Sequence, residues 1–139
     1  MAKFGKTSTR RLNECHGDIQ ILFKEVVKHF DCSIICGHRG ERLQNEAFAK
    51  GFSKLIFPKS KHNQFPSLAV DVIPYPIDWN DTRRMTFFAG FVKGIAFKLK
   101  EEGRITSVIR WGGDWDGDTE VKDNKFQDLP HFELLTKHN

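Results

Sequence analysis

Between residues 8 and 30, Leu12, Ile19, Leu22, Phe23, Val26, Val27 and Phe30 recur at three- and four-residue intervals, the apolar stripe of an amphipathic helix. Gly17 and Asp18 interrupt the stripe and divide it into two helices. Ser33-Ile34-Ile35-Cys36 is short, partly β-branched and followed by Gly37, which predicts a strand ending in a turn. Helical character returns over residues 41–50 and stops at Gly51. Residues 57–67 hold two prolines among polar neighbours and predict a loop. It leads into a strand at Leu68-Ala69-Val70-Asp71-Val72-Ile73, ended by Pro74 and Pro76. Asp81 is placed to cap a long helix, in which Phe87, Phe88, Phe91, Val92, Ile95, Ala96 and Leu99 form a broad apolar face ending near Gly103. Val108-Ile109-Arg110-Trp111 reads as a strand, residues 112–128 as a long acidic loop, and His131-Phe132-Glu133-Leu134-Leu135 as a final strand. The expected fold is α+β, with helices packed on a small, largely antiparallel sheet.

Composition narrows the class of molecule. The 139 residues match one domain, and 39% hydrophobic residues with 13 Phe exclude a disordered or fibrous chain. Three cysteines, an odd number, do not make a disulfide framework and point to a reducing site of synthesis. The first residues lack the apolar stretch of a secretory signal, and no run approaches the ~18 apolar residues of a membrane span. A soluble, cytoplasmic monomer with no stable membrane insertion is expected. The net charge of +4 implies weak attraction to a polyanion. Basic residues are scattered and only one Tyr joins the Phe residues, which argues against nucleic acid as that polyanion.

Asp71 is the first chemical signal. A carboxylate between Val70 and Val72 must be paired, hydrogen-bonded or metal-bound to offset its desolvation. His62 lies nine residues earlier, and the loop between them can fold it back. The two make either a structural ion pair or part of a metal site. In Asp128-Leu129-Pro130-His131-Phe132-Glu133, His131 opens the last strand and Asp128 precedes the turn at Pro130. Two imidazoles and one carboxylate form a common catalytic zinc set with one open position, and a second carboxylate nearby can accept a proton from water. Glu133 shares the strand face of His131 and is either a rival base or an acceptor for a ligand imidazole.

Ser60-Lys61-His62 followed by Pro66-Ser67-Leu68-Ala69-Val70-Asp71, together with Asp128-Leu129-Pro130-His131-Phe132-Glu133-Leu134, resembles the zinc D-alanyl-D-alanine carboxypeptidase (VanY-type) superfamily. Within it, Gly37-His38-Arg39, Gln44 and Trp111-Gly112-Gly113-Asp114-Trp115 are similar to the L-alanyl-D-glutamate endopeptidases, which include small phage endolysins. The resemblance implies zinc bound by His62, Asp71 and His131, Asp128 as general base, and Arg39 stabilising negative charge on the attacked carbonyl. Gln44 is expected to support Arg39, Ser60 to bind substrate or hold its loop, and Trp115 and Trp111 to wall the cleft or fill the core.

The function so implied is hydrolysis of a peptidoglycan stem-peptide bond, most simply L-alanyl-D-glutamate, by a phage endolysin during host lysis. Two alternatives are a D,D-carboxypeptidase releasing terminal D-alanine and a non-catalytic wall-binding virion module. Residues 1–139 are expected to be one zinc peptidase domain with no separate wall-binding domain, confined to the host cytoplasm until a membrane-perforating partner gives it access to the wall. Asp114, Asp116 and Asp118 alternate as in a calcium loop, but the glycine is displaced by one and the twelfth position is Lys125. A solvated loop is the simpler reading, with Ca2+ as a second one. Cys32, Cys36 and His38 lack the spacing of a structural zinc knuckle and read as buried thiols beside a histidine. His16, His29 and His138 carry no chemical argument.

Overall fold

Among the described residues the order of elements is α1 (Lys6–Asn13), α2 (Gly17–His29), β1 (Cys32–Cys36), α3 (Glu41–Ala49), a 3-10 helix (Lys61–Asn63), β2 (Ala69–Pro74), α4 (Thr82–Glu101), β3 (Val108–Trp111) and β4 (His131–Leu135). This is a computed structural model, and it describes residues 2–122 and 127–135. Lys125 and His138 lie outside the described residues. The four strands form one antiparallel sheet in the order β1-β2-β4-β3, so the expected α+β architecture is present.

Strand alternation divides the sheet into two chemically different faces. Ile34, Val70, Val72, Ile109, Trp111, Phe132 and Leu134 join the core cluster on one face. Opposite in phase on β2, β3 and β4 stand Asp71, Arg110, His131 and Glu133. The apolar face is covered by Ile19, Leu22, Phe23, Val26 and Val27 of α2 and by Phe88, Ala89, Val92, Ala96 and Leu99 of α4. Phe132 packs edge-on to Phe23 at 5.5 Å between ring centroids and to Phe88 at 6.2 Å. Each such buried ring contributes roughly 1.5–3 kcal/mol of apolar burial. The core therefore anchors β4 from behind while its polar face stays available for chemistry.

Local signals account for most boundaries. Asp81 caps α4 by accepting from Arg84 N. Gly51 and Gly103 follow the ends of α3 and α4 with φ of 80° and 75°, the left-handed conformation glycine adopts without a Cβ penalty.

Three details differ from the sequence expectation. The break between α1 and α2 falls at residues 14–16, ahead of Gly17, because His16 is itself the cap: its Nδ1 accepts from Asp18 N at 3.0 Å. Pro74 belongs to β2 and pairs with Cys32, since a proline at a strand end removes no interior ladder bond. Phe87 is 70% exposed. One helix face cannot bury all seven apolar residues, and Phe87 falls at its edge, 6.1 Å from the Phe30 ring.

Candidate metal centre

Asp71 on β2 and His131 on β4 are direct partners in the antiparallel register, so their side chains leave the same face of the sheet side by side. The 3-10 helix carries His62 over them. Ser60 caps that helix by accepting from His62 N, and the Asn63 side chain accepts from Ser60 N in return. His62 Nε2 lies 3.2 Å from Asp71 Oδ1, and His131 Nδ1 lies 3.3 Å from the same oxygen. One ligand atom from each of the three residues lies within 4.8 Å of the other two. Tetrahedral zinc with bonds of ~2.0–2.1 Å requires ligand atoms about 3.3 Å apart. Two of the three separations already have that value, so the donor set fits zinc in both type and spacing.

The remaining imidazole nitrogens are occupied from outside. His62 Nδ1 donates to the Gly37 carbonyl at 2.7 Å, and His131 Nε2 lies 2.8 Å from Glu133 Oε1. Such contacts orient a ligand imidazole and leave its other nitrogen free for a metal. Glu133 is itself held by Arg110 Nη2 at 2.6 Å and Lys61 Nζ at 3.3 Å. Burial would raise its pKa, but the His131 contact, Arg110 and Lys61 together hold it down at about 2. Burial would likewise favour neutral His62, yet the adjacent Asp71 carboxylate overrides this and raises its pKa to about 10. Asp71 is held well below the usual carboxylate range, against its burial, by the two imidazoles. His131 is shifted upward by Asp71 and Glu133, again against burial. Asp71 thus stabilises the proton on His62, which a divalent cation can replace.

Around this centre stand the other residues named from sequence. Asp128 Oδ2 is 3.9 Å from His131 Nδ1. Burial, reinforced by the Asp71 charge, raises its pKa to about 6. Arg39 directs Nη2 to Asp71 Oδ2 at 3.3 Å and Nη1 to Gln44 Oε1 at 2.9 Å. Gln44 is fully buried and donates to the Leu55 carbonyl, so it acts as a fixed rest for the guanidinium. Trp115 leans over His131 with ring centroids 5.4 Å apart and lies beneath Arg110. Trp111 belongs to the core, where its indole donates to the Leu129 carbonyl. Ser60 holds its loop.

The centre separates two cavities, with Arg39 lining both. One, of about 690 Å³, is walled by Ile35, Ala47, Phe52, Trp79, Met85 and Leu129, with Asp71 and Asp128 at its inner end. The other, of about 450 Å³, has Lys54, Lys59, Lys61, Arg110, Trp115 and Glu133 around His62 and His131.

Several supporting groups were not legible in the sequence. The Gly37 carbonyl, Lys61, Arg110 and Asn63, which donates to the Arg39 carbonyl at 2.9 Å, act through long-range contacts with no periodic or motif signature. Gly112 had one signal, the adjacent glycines after Trp111. Its N–H donates to the His131 carbonyl and its carbonyl accepts from Asp128 N. A Cβ there would land on the Asp128 carbonyl oxygen. Elsewhere, Asp114, Asp116 and Asp118 each bring an oxygen within 4.8 Å of the others. Cys32 is buried, and Cys36 is half-buried with Sγ 3.9 Å from His62 Nδ1.

The family model of phage L-alanyl-D-glutamate peptidases matches residues 1–135. Among solved structures, the Serratia marcescens L-Ala D-Glu endopeptidase ChiX is similar in fold, with a TM-score of 0.71. It shares 23% identity, over 95% of this chain and 89% of that one. No curated protein sequence matches the chain.

Proposed function

The chain belongs to the phage L-alanyl-D-glutamate peptidase family, and on that premise we propose that His62, Asp71 and His131 hold one catalytic zinc ion, with Asp128 and Arg39 as the working side chains. It is an endolysin-type peptidoglycan hydrolase, acting on the amide between L-alanine and D-glutamate. The observation that carries the zinc reading is the convergence of both imidazoles on Asp71 Oδ1 at 3.2 and 3.3 Å, with their outer nitrogens already engaged.

A zinc ion there supplies Lewis acidity toward water and toward the scissile carbonyl. Asp128, with its pKa raised to about 6, accepts the proton of the attacking water at its carboxylate and returns it to the departing amine. The Arg39 guanidinium stabilises charge that appears on the carbonyl oxygen only as the carbon becomes tetrahedral, which lowers the barrier without tightening ground-state binding. Gln44 keeps that guanidinium in place, so little reorganisation accompanies the step. Trp115 screens the outer side of His131 from water, and Glu133 keeps the ring's Nδ1 directed inward.

All of these groups come from one chain, which supports a monomeric enzyme whose residues 1–139 serve as one peptidase domain. Among the described residues no helix is long and apolar enough to cross a membrane. Access to the wall through a separate membrane-perforating partner is consistent with that. The decisive experiment is elemental analysis of the purified protein combined with digestion of peptidoglycan before and after chelation. One zinc per chain and new amino-terminal glutamate are expected, both lost on chelation and restored by zinc. Free D-alanine as the product would instead make the enzyme a D,D-carboxypeptidase, and intact wall with no metal bound would leave only a binding module.

A further inference from the structure

The two imidazoles of the centre lean on acceptors of different kinds. His131 Nε2 meets the Glu133 carboxylate directly, whereas His62 Nδ1 donates to a neutral backbone carbonyl, that of Gly37, at 2.7 Å. The same peptide unit is engaged on its other side. Its N–H, that of His38, donates to Glu14 Oε1 at 3.1 Å. Because a trans peptide is planar and conjugated, its C=O and N–H point in opposite directions and share charge through the C–N bond. Donation of that N–H to a carboxylate makes the carbonyl oxygen a stronger acceptor, the cooperative strengthening of a hydrogen-bond chain inside a protein.

Glu14 is built into this position. It is half-buried at the C-terminal end of α1, and its carbonyl accepts from Ser67 N at 2.8 Å, which ties its backbone to the segment between His62 and Asp71. Gly37 permits the approach, since a Cβ there would land on the Arg11 carbonyl oxygen and lie 3.1 Å from Glu14 Oε1. From the opposite side Arg39 N donates to the His62 carbonyl at 2.8 Å. Residues 37–39 are thus clamped between α1 and the 3-10 helix. We propose that Glu14 is a positioning residue for His62, acting through the Gly37–His38 peptide as Glu133 acts directly on His131. Each imidazole then ends a hydrogen-bond chain whose far end is a carboxylate, one chain of a single link and the other of two. The polarised carbonyl holds the proton on Nδ1 and leaves Nε2, on the Asp71 side, as the electron-rich donor.

The inference rests on zinc being held by His62, Asp71 and His131, and its test separates the two readings. Zinc affinity is measured by competition with a fluorescent chelator in the wild type, Glu14→Gln and Glu25→Gln. Glutamine keeps an oxygen for the His38 N–H but removes the charge, so a purely structural anchor survives the exchange. Glu14→Gln should weaken zinc binding about three- to tenfold, less than the roughly 10–100-fold typical of a group in direct contact with a ligand imidazole. Glu25→Gln removes the same charge from α2, where Glu25 pairs with Lys28, and should change nothing. In the metal-free protein the His62 Nδ1–H proton resonance should move upfield in Glu14→Gln while the His131 ring signals stay in place, and the backbone amide spectrum reports in the same sample that the fold is retained. Wild-type affinity in Glu14→Gln, an unmoved His62 resonance, or an equal loss in Glu25→Gln would each overturn the relay and leave the zinc site standing. A wild-type protein that binds no zinc would remove the site and the relay together.

Discussion

Glu133 Oε1 lies 2.8 Å from His131 Nε2, so the ring of one metal-site histidine is aimed by a carboxylate two residues further along the same strand face. Removing such a support commonly costs 10–100-fold in metal affinity. Glu133→Gln should therefore weaken zinc binding by about that factor, measured by competition with a chromophoric chelator. Wild-type affinity in the variant would mean that backbone and core alone aim the ring.

Asp128 and His131 stand three residues apart, yet their substitutions should fail differently. Asp128→Asn removes the proposed proton acceptor but none of the three proposed metal ligands, so zinc content should stay near one per chain while kcat falls about 10²–10⁴-fold. His131→Ala should lose the metal itself. Turnover that survives Asp128→Asn would show that another group takes the proton.

The pKa of His62, raised to about 10, makes zinc uptake a proton exchange. In the metal-free protein the imidazole holds its proton throughout the neutral range, and a metal must displace it. Affinity should rise about tenfold per pH unit between pH 6 and 8. Isothermal titration in buffers of different ionisation enthalpy should count at least one proton released per zinc. A flat pH dependence would contradict the assigned His62–Asp71 ion pair.

Gly112 and Gly94 offer a contrast between a required and a replaceable glycine. At Gly112 a methyl group would collide with the Asp128 carbonyl, whereas at Gly94 in α4 it meets nothing within 4 Å. Gly112→Ala should destabilise by roughly 1–3 kcal/mol and depress activity further by displacing the Asp128–His131 turn. Gly94→Ala should stabilise by about 0.5–1 kcal/mol. Urea unfolding of both variants beside activity assays checks the pair.

Far from the metal centre, Asp18 ties the start of α2 to the segment before β3. Its Oδ2 accepts from Ser107 Oγ at 2.7 Å and from the N–H groups of Thr106 and Ser107. Partial burial would raise its pKa, but these donors outweigh it and lower the value. A depressed carboxylate pKa stabilises the fold above the unfolded value of about 3.9 and loses that contribution as pH falls through the folded value. Asp18→Asn should cost about 1 kcal/mol at pH 7 and much less near pH 3. Parallel unfolding curves separated equally at both pH values would show that ionisation plays no part.

Much of this arrangement could be read in the sequence because two periodicities carry it. Alternation on the strands already placed Asp71 apart from Val70 and Val72, and His131 with Glu133. The helical stripe of α2 likewise named its buried residues. Asp71 also announced itself, as a charge that an apolar strand has to neutralise. What stayed hidden depends on distance along the chain. Arg110 looked like a strand residue with no task, and Lys61 like a neighbour of a ligand, until folding brought both onto Glu133. Trp111 and Trp115 were indistinguishable as tryptophans: strand phase on β3 sends the first inward, whereas the second lies past the strand end in the following turn and leans over His131. Phe87 was misread because a stripe in sequence has no width, whereas the surface it meets does.

Asp71 and His131 face each other across the middle of the sheet, and that placement makes catalysis contingent on correct zippering. Slippage of β4 by a single position would turn His131 toward the helices and Phe132 toward the metal, scattering the donor set. Incompletely folded copies therefore lack the assembled donor set. Variation is left to the surface connections, where lengthening or recharging a loop can retune what is recognised without touching what reacts.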